Sequence, residues 1–273
     1  MSAHGPGRSG TDGTRSPSAG VNLLGVPSGR TLLICIATLS LTVPLAASAE
    51  APPACTYEDR PATHVGYDDY PYTVLDTVFA LPADYEPPDL VSASLAFPAA
   101  YDGGGGLQVR AVVLEDLRAM LAAAEAAGVR LAVQSAYRSY AYQERTFDYW
   151  VDRDGLDAAL ASSARPGHSE HQLGTALDLR TWDGPPAWDL ADWAGTEEGA
   201  WVAANAYRYG FVMSYPEGSK DVTCYVYEPW HYRYVGRELA AAIHESGLTP
   251  REYLWSRPEV AAAPGRGGAE EER

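Results

Sequence analysis

Apolar positions change their spacing several times along this chain, and the changes mark out its elements. Over residues 109–127, Val112, Val113, Leu117, Met120, Leu121 and Ala124 recur at helical spacing, and Gly128 supplies a stop. Residues 129–133 alternate and predict a strand. Ser139 is placed to cap a helix reaching about residue 151, with Phe147 and Trp150 on its inner face. Residues 175–179 predict a second strand, 197–209 a helix ended by Gly210, and 211–213 and 223–227 two more strands. A helix over 237–245 follows, and Pro250 opens a short last one. Helices and short strands mix without a strict β-α-β rhythm. That predicts an α+β fold, an antiparallel sheet with flanking helices.

The ends read differently. Residues 1–30 are rich in Gly, Ser, Thr and Arg and show no apolar period. Arg30 then leads into an apolar run over 31–46, which Ala47-Ser48-Ala49 closes in an A-x-A pattern. A basic flank, an apolar stretch and a small-residue exit predict a signal peptide with a leader over 1–49. An uncleaved membrane anchor through residues 31–49 is the alternative, although the run is short for a span and contains Pro44. Residues 50–106 are rich in Pro and Tyr and predict an irregular arm, closed by four successive glycines, Gly103 to Gly106. Residues 257–273 are dominated by Ala, Gly and Glu and predict a disordered tail.

Composition narrows the partners. The 273 residues are 46% hydrophobic and 11% aromatic, which excludes a wholly disordered chain. The formal net charge is -16. Such a surface repels phosphate backbones and anionic headgroups, so nucleic acid is not an expected partner. Of three cysteines, Cys35 lies in the apolar run, leaving Cys55 and Cys224. An even pair in an exported chain reads as a disulfide, with two free buried thiols as the alternative.

Chemistry concentrates in two segments. In the first, His171 precedes Asp178 with Gly174 between them, so a loop imidazole and a strand carboxylate can converge. Both are ordinary Zn²⁺ ligands. In the second, Glu228 and His231 are three apart, and Pro229 breaks the strand alternation that would otherwise set them on opposite faces. His171, Asp178 and His231 as metal ligands, with Glu228 nearby to take a proton, is the inventory of a catalytic site for one zinc ion. His168 is expected to support the site or lie exposed, and His64 and His244 to lie on the surface. Trp182, Trp188 and Trp193 read as core or rim packing, with a substrate groove as the alternative.

Ser169-x-His171-x-x-Gly174-x-Ala176-x-Asp178 resembles the metal motif of the VanY-type D-alanyl-D-alanine carboxypeptidases, and Glu228-Pro-Trp-His231 resembles their second motif. Ser135-Ala-Tyr-Arg138-Ser-x-x-x-Gln143 is similar to their substrate-side motif. The likeness covers roughly residues 107–254 and implies the fold shared with the Hedgehog amino-terminal domain, here a zinc peptidase domain over 107–256. It further implies Glu228 as general base and then acid, Arg138 as the group facing the scissile carbonyl, and Ser135 and Gln143 as substrate-binding residues. The substrate implied is a peptidoglycan stem peptide losing terminal D-Ala, in a secreted or cell-envelope setting of a bacterium. Hydrolysis of an L,D bond, endopeptidase action, and a non-catalytic zinc module that binds wall peptide are the alternatives. Cys224 departs from the family pattern, in which many relatives carry Gly.

Overall fold

The segments of period two find one another in a four-stranded antiparallel sheet, and the helical segments cover its apolar face. The computed structural model describes residues 51–97, 106–257 and 260. The export segment expected over 1–49 and almost all of the expected tail lie outside these residues. No helix among the described residues is long and apolar enough to cross a membrane.

The arm is pinned to the rest of the chain at short intervals. Its first pairing is within the arm and parallel, β1 (Arg60–Pro61) with β2 (Phe79–Ala80), and Leu81 N–H then bonds the Gly167 carbonyl at 2.8 Å. β3 (Leu90–Ser92) then pairs antiparallel with β4 (Gln108–Arg110), Val91 opposite Val109. The predicted helix therefore begins later than its apolar spacing suggested. Gln108 to Arg110 are taken as a strand, residues 111–113 form a 3-10 turn, and α1 runs Leu114–Ala126. Val109, Val112 and Val113 are β-branched, and stiffness at χ1 suits them to the strand and turn that the arm offers. Gly128 follows the helix at φ 83 as expected.

β5 spans Leu131–Ser135, two residues beyond the predicted start and end. α2 (Tyr140–Asp154) is capped by Ser139, whose side chain accepts from the Tyr142 N–H. Phe147 and Trp150 are only half-buried, and the buried side chain of α2 is Gln143. α3 (Leu156–Ser162), β6 (Ala176–Thr181), α4 (Glu197–Asn205) and β7 (Phe211–Met213) follow.

The strand expected over 223–227 does not form. α5 (Lys220–Thr223) ends there, Cys224 takes a left-handed φ of 73, and the strand is β8 (His231–Tyr234). Tyr225 to Pro229 are held by single bonds such as Val226 N–H to the Ala161 carbonyl and Glu228 N–H to that of Tyr215, and contact with β6 begins only at Trp230, whose carbonyl accepts from Leu179 N–H at 3.0 Å. A left-handed residue suits Gly, so Cys224 carries a small conformational cost there. Its return is a disulfide to Cys55, which ties the start of the arm to the segment before β8. α6 (Arg237–Ser246) and α7 (Pro250–Ser256) complete the chain, the latter with a full capping box from Thr249 and Glu252.

Strand order is β5-β6-β8-β7. Leu177 and Leu179 of β6 and Tyr232 and Tyr234 of β8 turn to one face, where they meet Leu117 and Met120 of α1, with Trp193, Val202 and Phe211. Each large side chain buried there stabilises the fold by about 2 kcal/mol. The opposite face carries Asp178, His231 and Arg233, set there by the two-residue alternation.

Candidate metal centre

Register brings the site together. Asp178 of β6 lies directly opposite His231 of β8, and on its other side it pairs with Ser135 of β5. An irregularity between Val133 and Ser135 moves Ser135 into that row. His171 comes from a separate 3-10 turn over Glu170–Leu173, capped by Ser169 and ended by Gly174 at φ 72. A Cβ at Gly174 would stand 2.9 Å from Arg110 Cγ and 3.1 Å from Leu90 Cδ2, so the turn needs glycine for space as well as conformation. Glu228 and His231 share a side because the chain turns between them, with His231 N–H bonded to the Glu228 carbonyl at 3.1 Å. Pro229 thus sits in a tight turn, not in a kinked strand.

One ligand atom from each of His171, Asp178 and His231 lies within 4.8 Å of the others, and all three residues are buried. Each imidazole has its outer nitrogen occupied. His171 Nδ1 bonds the Ala136 carbonyl at 2.7 Å and leaves Nε2 facing Asp178 Oδ2 at 3.2 Å. His231 Nε2 bonds Glu170 Oε2 at 2.9 Å and leaves Nδ1 facing Asp178 Oδ1 at 3.1 Å. Two oriented imidazoles and a carboxylate, all buried at one point, fit Zn²⁺ and supply three of the four ligands that a catalytic zinc takes.

Electrostatics agree. Burial would raise the Asp178 carboxyl, but His171, His231 and Arg138 outweigh it and hold it well below its usual range. Burial, reinforced by Arg138, depresses His171 to about 4, so it stays neutral and ready to ligate. Burial also works against a charged His231, yet its bonds to Asp178 and Glu170 raise it. Glu228 behaves differently: burial lifts its carboxyl to about 7, with Asp178 adding to the effect and His231 opposing it. Its Oε2 is 3.9 Å from His231 Nδ1.

Arg138 reaches the same point, donating from Nη2 to Asp178 Oδ2 at 2.7 Å. Ser135 Oγ accepts from Arg138 Nε at 2.8 Å, and Gln143 Oε1 from Nη1 at 3.4 Å. Gln143 is itself anchored through Nε2 to the Ala164 carbonyl at 2.7 Å. Ser135 and Gln143, expected at the substrate, are therefore found aiming Arg138.

His168 is not beside the metal ligands. It is buried between the Asp76 carbonyl, at 2.6 Å from Nδ1, and Asp59, at 3.0 Å from Nε2, and so fastens the arm. His244 lies exposed, stacked on Tyr207, and His64 is half-buried. Trp193 is core, whereas Trp188 is exposed and meets Trp230, the neighbour of His231, edge to face. Sequence reasoning passed over Glu170, Ser214 and Arg233, three buried polar residues joined behind His231. Their sequence signal was faint: an acid inside the metal motif, and an Arg two places after a strand ligand.

The VanY family, described as D-alanyl-D-alanine carboxypeptidase, matches residues 106–237, the stretch that holds every residue of this site. Solved structures carry the likeness further. The LdcB LD-carboxypeptidase is 36% identical, with a TM-score of 0.57 over 67% of this chain and 86% of its own. The chain belongs to the VanY family. A variant of the vancomycin resistance D,D-pentapeptidase VanY, solved with Zn(II), is 32% identical with a TM-score of 0.56, over 68% of this chain and 99% of its own. YodJ of Bacillus subtilis (strain 168) is 40% identical over 177 residues, 64% of this chain. The match spans 64% of YodJ's own length. The VanY-type fold places antiparallel strands under the metal ligands here as the motif likeness implied.

Proposed function

We propose that this chain is a zinc-dependent D,D-carboxypeptidase that removes terminal D-Ala from peptidoglycan stem peptides. The observation that carries this reading is the convergence of Glu228 and Arg138 on the buried His171, Asp178 and His231 cluster. In this reading those three residues hold one zinc ion. Zinc, when bound, supplies Lewis acidity toward the scissile carbonyl and toward water. Glu228 accepts the proton of the attacking water, and a carboxyl lifted toward neutrality suits that task. It then returns the proton to the leaving amine. The Arg138 guanidinium, held by Ser135 and Gln143, faces the oxyanion as charge develops. Ser135 and Gln143 serve the substrate through that arginine.

The setting we propose is extracytoplasmic, secreted or in the bacterial cell envelope. The apolar run and A-x-A pattern before residue 50 support it, and so does the Cys55–Cys224 disulfide, since such bonds persist in oxidising compartments. A signal peptide with leader over 1–49, an arm over 50–106, a peptidase domain over 107–256 and a tail over 257–273 complete that reading.

Cleavage of an L,D bond is the second reading, favoured by the 36% identity to the LdcB LD-carboxypeptidase. Mass spectrometry of tetra- and pentapeptide muropeptides after incubation with zinc-loaded protein separates the two. The D,D reading expects one alanine lost from the pentapeptide alone, and loss from the tetrapeptide alone overturns it. Glu228→Ala is expected to retain zinc and lose hydrolysis. Full activity in that variant contradicts the role given to Glu228.

A further inference from the structure

β8 alternates its side chains, so His231 and Arg233 leave the same face of the sheet. Glu170 sits between them, next in sequence to His171, and is 5% exposed. Both its oxygens are engaged. Oε1 accepts from Arg233 Nη1 at 2.9 Å. Oε2 accepts from the Ser214 hydroxyl at 2.5 Å and faces His231 Nε2 at 2.9 Å. Arg233 is 1% exposed, and its Nη2 donates to the carbonyls of Tyr70 at 2.5 Å and Thr73 at 2.7 Å. The proposed hydrolysis uses none of these three side chains.

A buried carboxylate in this position could serve only to neutralise Arg233. One oxygen is enough for that, and Oε1 provides it. Oε2 is turned the other way and fixed by Ser214 on the outer nitrogen of His231. A neutral imidazole carries one proton and one free lone pair. With the proton on Nε2 and donated to Glu170, the lone pair must lie on Nδ1, the atom that faces Asp178. His171 shows the mirror arrangement, with its Nδ1 proton given to the Ala136 carbonyl and Nε2 left free. The two ligands therefore present opposite nitrogens: the Ala136 carbonyl fixes the choice at His171, and at His231, whose Nδ1 faces Asp178 Oδ1 at 3.1 Å, Glu170 keeps a proton on Nε2 when Nδ1 is given to a metal.

We propose that Glu170 is a positioning residue of the metal centre. Clamped by Ser214 and Arg233, it holds His231 in the Nε2–H form that offers Nδ1 to zinc. Through Arg233 it also fastens the centre to the turn at residues 70–73 of the arm. A carboxylate acceptor makes the imidazole a stronger donor, and such partners are worth about 10- to 100-fold in metal affinity. The proposal rests on the zinc reading given above.

The test measures the zinc dissociation constant by competition with a chromophoric chelator, for the wild-type protein, Glu170→Gln and Ser214→Ala. Imidazole ¹H–¹⁵N correlation spectra of the zinc-loaded proteins are recorded alongside. Glu170→Gln is expected to loosen zinc about 10- to 100-fold. Ser214→Ala keeps the Glu170–Arg233 ion pair, so it reports even if Glu170→Gln fails to fold. It is expected to loosen zinc by a smaller factor and to shift the His231 Nε2–H signal. An unchanged constant together with an unmoved His231 signal in Ser214→Ala overturns the proposal. So does a wild-type spectrum with the His231 proton on Nδ1. Tight wild-type zinc with unaffected variants refutes this inference alone, whereas a wild-type protein that binds no zinc refutes the metal reading and this one with it.

Discussion

The carboxyl proposed as the general base, Glu228, should destabilise the fold when it ionises. Its side chain is 14% exposed, and burial raises its carboxyl from 4.5 to about 7. Between those values the folded state keeps a proton that the unfolded chain has released. Stability therefore falls as pH rises through that window and stays reduced above it. The interval from 4.5 to about 7, at about 1.36 kcal/mol per pH unit, amounts to about 3 kcal/mol. Glu228→Gln keeps the shape of the side chain and cannot ionise. In zinc-free protein it is expected to exceed wild type by about 3 kcal/mol at roughly pH 8, with the difference vanishing below roughly pH 4.5. Urea unfolding of both proteins across that range measures it, read as a shift in midpoint at constant slope. Adding zinc should narrow the gap, because a nearby cation favours the carboxylate. Equal midpoints at alkaline pH, or a gain that grows toward acid, would refute the reasoning.

Three further outcomes follow from the geometry. Reducing the Cys55–Cys224 bond, which closes a loop with a sequence separation of 169, is expected to cost about 2–4 kcal/mol and lower the melting temperature by about 6–12 °C; thermal scans with and without reductant check it, and an unchanged melting point contradicts it. Gly174→Ala must adopt φ 72 against Arg110 and Leu90, so it is expected to lose about 1–3 kcal/mol of stability by denaturant titration and to weaken zinc binding through His171. Arg138→Met should lower kcat about 100- to 1,000-fold, since the guanidinium is assigned to the transition state, and should also destabilise the zinc-free protein, because buried Asp178 loses its 2.7 Å ion pair. Steady-state kinetics that show only a raised KM would count against that assignment.

The metal ligands were legible because His171, Gly174 and Asp178 lie within one short turn and strand, where local spacing dictates geometry. Glu228 and His231 were legible for the same reason, although the device joining them is a turn and not a kinked strand. The α+β class followed from the mixture of periods. What stayed hidden depended on distant partners. Val109 joined a strand because Val91 of the arm met it. Residues 223–227 read as a strand, but α5 ends at Thr223 and the segment after it pairs with β6 only from Trp230 onward. Glu170 carried no assignment in the motif because its partners, Arg233 and Ser214, are far away in sequence. His168 was drawn toward the metal by its neighbours in sequence, whereas Asp59 and Asp76 of the arm claim it.

Ser135, Asp178 and His231 stand in one row across three strands, and that row makes the metal a proofreader of strand pairing. Slipping β6 against β8 by one residue would bring Leu177 or Leu179 opposite His231 and turn Asp178 into the apolar layer beneath α1. The misaligned sheet would lose a ligand and bury a bare carboxylate in the same step. Zinc binding energy is thus available to a single alignment, and a chain folding in the presence of the ion is rewarded only when its strands have been threaded in step.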